Sequence, residues 1–477
     1  MNAPIARLFG FVIVLFALLI GFTSRWTVFE ASALRHNPLN LRLELLDERV
    51  ARGDILASEG AVLARSRRGP EGTYERAYPF GSLFAQPVGY AFTDLRQSGI
   101  ERYRNDVLSG QTGTSFQSIL DDLQGKEPEG DNVVTTLDLH AQQVASEALA
   151  GYRGAVVALE PSTGAVRVMA SRPSYDANAF SSIRTYRRLL RESSGSPLVN
   201  RATQFGYAPG STFKLVTATA AIDSGQYTPS SLISGRNGIL VSGVPLHNDN
   251  NESFGELSLT EALVKSVNTV WAQVAEQLGK QTMARYMYRF GFNRLPQLDY
   301  PADQMSASGP YLGEHLLRPT SPLVDVGRMG MGQDKLRATP LQMAEVVSAI
   351  ADHGTLMAPH LAARVVDPDG RTLETIHPHR QAVVMKPSTA DAVTSMMEAV
   401  VREGTGTPAQ IPGVTVAGKT GTAETQFGSA LNDAWFVAFA PARDPKVAVA
   451  VTVEKVPGFG ATYAAPVARR VMEALLK

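Results

Sequence analysis

Ser211 and Lys214 stand one helical turn apart in Tyr207-Ala208-Pro209-Gly210-Ser211-Thr212-Phe213-Lys214, just ahead of the helix-forming run Leu215 to Ile222. Pro209 and Gly210 break the chain, and a helix is expected to start at the serine. Residues at this spacing share a helix face, so the hydroxyl and the amine can point into one space. A serine hydroxyl alone is a weak nucleophile. It needs an adjacent base and donors for an oxyanion, and a lysine one turn on with the positive end of a helix offers both. The chemistry this predicts is acyl transfer through a serine ester. The pair by itself also fits a capped surface helix, so it needs support from elsewhere in the chain.

That support comes from Ser266-Val267-Asn268 and, far downstream, Lys419-Thr420-Gly421-Thr422. The three groups in this order form the signature of penicillin-binding proteins and serine β-lactamases. On an edge strand, Lys419 offers positive charge, Thr420 a hydroxyl for a substrate carboxylate, Gly421 close backbone approach, and Thr422 a backbone N–H. With the N–H of Ser211 the last would form an oxyanion hole. A rival from another class reads Gly413, four residues, then Gly418-Lys419-Thr420 as a nucleotide-binding P-loop. A P-loop needs a flexible turn between its glycines and a helix after the Lys-Thr. Here the intervening Val-Thr-Val-Ala is strand material, and Gly421-Thr422-Ala423-Glu424 is a poor helix start.

The elements that must position these residues are legible in part. Val156 to Leu159 and Ala165 to Ala170, joined by the turn Glu160-Pro161-Ser162-Thr163-Gly164, predict a hairpin. Val414 to Ala417, Ala434 to Phe439 and Val447 to Val453 predict a second strand group, followed by a helix over Ala464 to Leu476. The pattern between the groups is helical. Ser258 and Glu261 look like a capping box, Thr269 to Leu278 a helix stopped by Gly279, and Thr339-Pro340 the cap and first turn of a helix ending near Gly354. The simplest union is an α+β domain: one antiparallel sheet made from both ends, with helices packed on it.

With 477 residues the chain is long enough for two or three domains. Lys plus Arg balances Asp plus Glu, 45 against 45, which argues against a nucleic-acid partner. Cysteine is absent, excluding disulfides and thiolate chemistry. The eight histidines are scattered, the nearest pair being His377 and His379 around a proline, so no metal site and no cofactor are expected. Leu8 to Phe22 is uncharged and apolar, and reads as an uncleaved membrane anchor over residues 5–26. A signal peptide cut after Ala31-Ser32-Ala33 would place its cleavage site far beyond the apolar run. Local charge does not set the orientation; an outward-facing bulk is expected because long domains translocate largely regardless of flanking charge. Residues 27–130 are mixed in character, with no nucleophile that stands out. A new domain, 131–477, begins with the strand-like Asp131 to Thr136 and the helical Leu139 to Leu149.

With these residues in place, the chain resembles a class B penicillin-binding protein, a membrane-anchored D,D-transpeptidase of bacterial cell-wall synthesis. Further wording of this kind includes Arg52-Gly53-Asp54-Ile55, Arg76 to Tyr90, Ser98 to Glu101, Leu108 to Gly110, Asp131 to Gln143, Gly154 to Ala170, Asn200 to Lys214, Gly332-Gln333 through Ala344, and Ala417 to Glu424. In size it is most like the short actinobacterial-type members. Leu56-Ala57-Ser58-Glu59-Gly60 departs from the Asp-Arg-Asn-Gly of longer relatives, a difference confined to the pedestal. The resemblance implies a serine β-lactamase-like transpeptidase domain on a small pedestal, held at the cell membrane by a single span with the catalytic domain outside. It implies that Lys214, kept neutral near a second cation, takes the proton of Ser211 as it attacks a D-Ala-D-Ala bond. Ser266 would relay that proton, Asn268 would hold the donor's side-chain amide, and Lys419 and Thr420 would bind the terminal carboxylate or its β-lactam mimic. The implied partners are peptidoglycan stem peptides, β-lactams and a membrane-embedded glycan polymerase, met by Leu8 to Phe22 and the Arg76 to Gly110 region. A D,D-carboxypeptidase or a β-lactam sensor uses the same trio. A β-lactamase would need a Glu-x-x-Leu-Asn segment, which is missing.

Overall fold

The computed structural model describes residues 3–25, 50–92, 97–111, 129–192, 195–424 and 430–477. Trp26 to Phe29, Ala31-Ser32-Ala33 and much of the expected pedestal, residues 27–49 and 112–128, lie outside the described residues. Helix α1, Ala3–Ser24, has 22 residues, about 33 Å at the α-helical rise, enough for a bilayer core of roughly 30 Å. Its Arg7–Ser24 window has a mean hydropathy of 2.2 and none of it is buried against the protein.

Strands β1 (Ile55–Leu56), β2 (Val62–Arg68) and β3 (Tyr74–Ala77) form one side of a six-stranded sheet. The sheet does not stop at the boundary expected near residue 130. Strand β4 (Asn132–Thr135) runs parallel to β1 and antiparallel to a strand from far downstream, Ala362–Val366. The two halves of the chain are therefore joined by shared backbone hydrogen bonds. Beside this sheet the Glu101 carboxylate receives Nε of Arg76 at 2.5 Å and a guanidinium nitrogen of Arg52 at 3.1 Å. Arg76 and Glu101 are buried. Arg76 is thus no surface contact, contrary to the sequence expectation, whereas Arg102 is exposed and pairs with Asp303 at 2.8 Å.

The second sheet carries the site. Its strands are β5 (Gly154–Leu159) and β6 (Val166–Arg172), then β7 (Ala417–Glu424), β8 (Asn432–Ala440) and β9 (Val447–Val456) from the other end of the chain. The order is β7-β8-β9-β5-β6, all antiparallel, which is the sheet expected from both ends. Both faces are covered, and Val447 to Val453 are buried without a break. Alternation still sorts the side chains: Val156, Ala158 and Val168 pack with α2 (Leu139–Ala148) and the C-terminal helix Ala465–Leu475, while Val157, Leu159 and Met169 face the helical middle. In that middle lie α3 (Lys214–Asp223), α4 (Leu259–Val264), α5 (Asn268–Arg289), α6 (Pro340–Ala351) and α7 (Pro387–Glu403). The capping box at Ser258 and Glu261 is made. Thr339 caps α6, and Gly279, at φ 73°, breaks α5. Strand β7 starts at Ala417 and carries the Lys-Thr-Gly-Thr run on the sheet edge, as expected; Val414 makes only an isolated bridge to Ile411, so the expected Val414 to Ala417 strand is corrected at its start.

Candidate active site

The α-helix does not begin at the serine. Ser211 sits in a 3-10 turn, Gly210–Phe213, that runs into α3 at Lys214. Its approach is tied down on three sides: Tyr207 exchanges backbone hydrogen bonds with Ala338, the indole N–H of Trp435 donates to Ala208 O at 3.0 Å, and Gly210 N donates to Gly332 O at 2.9 Å. Two glycines let the serine turn meet edge strand β7. Gly210 holds φ at +53°, and a Cβ there would lie 2.5 Å from Thr422 O; one on Gly421 would lie 2.8 Å from Pro209 O. A side chain at either place would part the turn from the strand.

Beneath the serine, two buried lysines meet at one hydroxyl. Lys214 Nζ donates to Ser266 O and Asn268 Oδ1, each at 2.7 Å, and reaches Ser266 Oγ at 3.3 Å. Lys419 Nζ donates to Ser266 Oγ at 2.9 Å and Thr420 O at 3.0 Å, and lies 3.4 Å from Thr420 Oγ1. Ser266 is presented from the α4–α5 connection with φ at +58°, a left-handed conformation that a non-glycine residue adopts at a cost of about 1–3 kcal/mol. Ser211 Oγ has no hydrogen-bond partner among the described residues, and the residue lines a cleft of ≈ 320 Å³ with Ser266, Asn268, Thr420, Gly421 and Thr422. Thus Lys214, Lys419 and all six cleft-lining motif residues converge, although Lys419, fully buried, forms the floor rather than an exposed cation.

Burial pushes the Lys214 ammonium down to about 7. It pushes Lys419 well below the usual lysine range, and there the charge of Lys214 adds to the effect. The carboxylate of Asp249 pulls both the other way. Two ammonium groups sharing one hydroxyl in a dry site repel, so one proton between them is the stable state.

Sequence reading missed several cleft residues. Thr405 shares a 2.6 Å hydrogen bond with Thr420 through their hydroxyls. Asp249 Oδ1 accepts from Asn268 Nδ2 at 3.1 Å. Gln333, in the stretch from Gly332 to Ala344, and Phe459 also line the cleft. None belongs to a spaced pattern; each arrives on a loop whose path only the tertiary structure sets.

Residues 154–473 match the penicillin binding protein transpeptidase domain, and residues 52–133 the penicillin binding protein A dimerisation domain. The chain belongs to the penicillin-binding protein transpeptidase family. Within it, the chain is 34% identical over 502 residues to the peptidoglycan D,D-transpeptidase PbpA of Mycolicibacterium smegmatis, covering 100% of this chain and 99% of the relative. The PbpA of Mycobacterium tuberculosis is also 34% identical, over 505 residues, with the same coverage. The structure of penicillin-binding protein A from M. tuberculosis as a ceftriaxone acyl-enzyme complex superposes with a TM-score of 0.82 at 32% identity, over 91% of this chain and 100% of that one.

Proposed function

We propose that this chain is a peptidoglycan D,D-transpeptidase, inhibited by β-lactams, that cross-links stem peptides through an ester on Ser211. The observation that carries the residue roles is the hydrogen-bonded series Lys214–Ser266–Lys419 under the serine, with Lys214 held near neutrality. A terminal carboxylate bound at Thr420 holds the shared proton on Lys419. Lys214 is then neutral and takes the Ser211 proton as Oγ attacks the carbonyl of the D-Ala-D-Ala bond. The oxyanion forms against the backbone N–H groups of Ser211 and Thr422. Collapse breaks the C–N bond, and the proton passes from Lys214 through Ser266 Oγ to the departing D-alanine nitrogen. An amine from a neighbouring stem peptide attacks the ester and releases Ser211. Asn268 fixes the donor's side-chain amide and Gly421 allows close approach of the donor backbone.

In this reading residues 5–26 anchor the protein in the cell membrane, residues 27–130 form the pedestal, and residues 131–477 form the transpeptidase domain on the outer side. The apolar helix α1, with none of its Arg7–Ser24 window buried, supports the anchor. A membrane-embedded glycan polymerase meets the anchor and the exposed side of the 76–110 region, a pairing favoured because two linked contacts raise effective concentration. Intact-mass measurement after exposure to a β-lactam tests the nucleophile: wild type gains one adduct and Ser211→Ala gains none. An adduct on the variant sinks the assignment.

A further inference from the structure

Asp249 lies outside the three motifs, in the turn Asp249–Asn251 at the rim of the cleft. Its carboxylate receives one end of the Asn268 amide: Nδ2 donates to Asp249 Oδ1 at 3.1 Å, while Oδ1 of the same amide accepts from Lys214 Nζ at 2.7 Å. An amide has a donor side and an acceptor side. The carboxylate, with the more distant His247 O that accepts from the same Nδ2 at 3.4 Å, therefore turns the carbonyl towards the lysine. The turn that presents Asp249 is itself held: buried Asn248 donates to Gly235 O at 3.1 Å and Glu252 O at 3.0 Å, and accepts from Thr269 N at 3.0 Å. Asn250 and Asn251 follow with φ of 54° and 57°, successive left-handed residues that bring the chain sharply round.

We propose that Asp249 is a positioning residue for acyl transfer, orienting Lys214 through Asn268 and setting the pH at which that amine becomes a base. The inference rests on the assignment of Ser211 and Lys214 above. Among the described residues the charged groups around the amine are few. Its own turn brings the neutral Ser211, the α4–α5 connection brings neutral Ser266 and Asn268, β7 brings the cation Lys419, and the turn at 249–251 brings the anion Asp249. Lys265 and Glu252 line the same cleft without a hydrogen bond to the amine among the described residues. Asp249 is the carboxylate whose charge favours the protonated form of both lysines, against their burial. Without that charge each lysine releases its proton at lower pH.

The test is the rate of Ser211 acylation by benzylpenicillin, followed by intact mass on the full-length protein in detergent from pH 5 to 9. Asp249→Asn keeps an acceptor for Asn268 and removes the charge; its midpoint is expected to move down by about one pH unit, the low end of what a neighbouring opposite charge does. Asp249→Ala loses both functions, so its midpoint moves likewise and its plateau falls further than that of the Asn variant. Asp249→Glu restores the wild-type midpoint. A midpoint in the Asn variant that stays in place or moves up overturns the proposal, whatever the rate does, and the Ala variant answers the same question if the Asn variant does not fold. Failure of the wild type to acylate on Ser211 would instead overturn the functional assignment beneath it.

Discussion

Lys214 combines two demands that conflict in a protein interior. It is fully buried, which disfavours the ammonium, and it keeps three hydrogen-bond acceptors close by, which orient the amine. With its pKa near 7, acylation by a β-lactam is expected to rise with pH to a plateau, with a midpoint near that value. A flat profile from pH 5 to 9 would remove Lys214 from the base role. Lys214→Ala should cost about 10²–10⁴ in acylation rate, whereas Thr420→Ala, which removes one carboxylate contact, should mainly weaken encounter with the drug. Equal small effects contradict both roles. The same lysine costs stability. Between pH 7 and its unfolded value of 10.5 the unfolded chain holds a proton that the folded one lacks, so this group's contribution makes stability rise with pH across that window. Replacing it by Met should therefore raise stability relative to wild type most at pH 7 and least at pH 10. Urea midpoints at the two pH values measure this directly.

Helix α6 shows how an element can be buried all round and still carry an ionisable group. Every residue from Pro340 to Ala351 is buried, including Glu345, which is pushed up to about 8 by burial, with one oxygen lacking a partner among the described residues. Its pKa is raised, so the folded state holds a proton that the unfolded state gives up between about 4.5 and 8. This contribution to stability is lost as pH rises through that window. Glu345→Gln, which stays neutral, should match wild type in urea at pH 4 and exceed it at pH 8.5; equal midpoints at both would mean the carboxyl is solvated. Strand β7 gives a test of a different kind. Gly421→Ala places a Cβ 2.8 Å from Pro209 O and from Thr212 Cγ2, moving the strand off the serine turn. A displacement of about 1 Å there is expected to slow acylation about 10²-fold, with far less loss of stability than of rate.

The six-stranded sheet makes the regions on either side of residue 130 one mechanical unit, since β4 pairs with β1 on one side and with the strand Ala362–Val366 on the other. The Arg52–Glu101–Arg76 cluster lies beside that sheet. Removing one member of a buried ion pair typically costs about 3–5 kcal/mol, so Arg76→Glu is expected to destabilise the whole protein. Arg102 and Asp303, both exposed, form a pair worth about 1 kcal/mol or less. Arg102→Glu is therefore the suitable probe of partner binding. If the pedestal meets a glycan polymerase, this variant with an unrelated anchor should co-purify with less of it than wild type does; equal retention reduces the pedestal to a spacer.

Ser211, Lys214, Ser266, Asn268 and the Lys419 to Thr422 run could be found from the sequence because each group is local: a nucleophile and base one turn apart, a serine and asparagine between two helices, a short strand rich in small residues. The hairpin and the caps at Ser258 and Thr339 were legible for the same reason, since hydrophobic period and capping chemistry act over a few residues. What joins those pieces is not local. The start of β7, the burial of Arg76 and the floor position of Lys419 depend on strands distant in sequence, and a continuous apolar run does not say which face it buries or where its pairing begins. Asp249 and Thr405 carried no signal at all, for their place in the cleft comes from loops held by Asn248 and by the turn after α7. Residue chemistry was written in the order of the chain. The distances that turn eight residues and two loops into one site are set by packing, because burial forces both lysines onto the same hydroxyl.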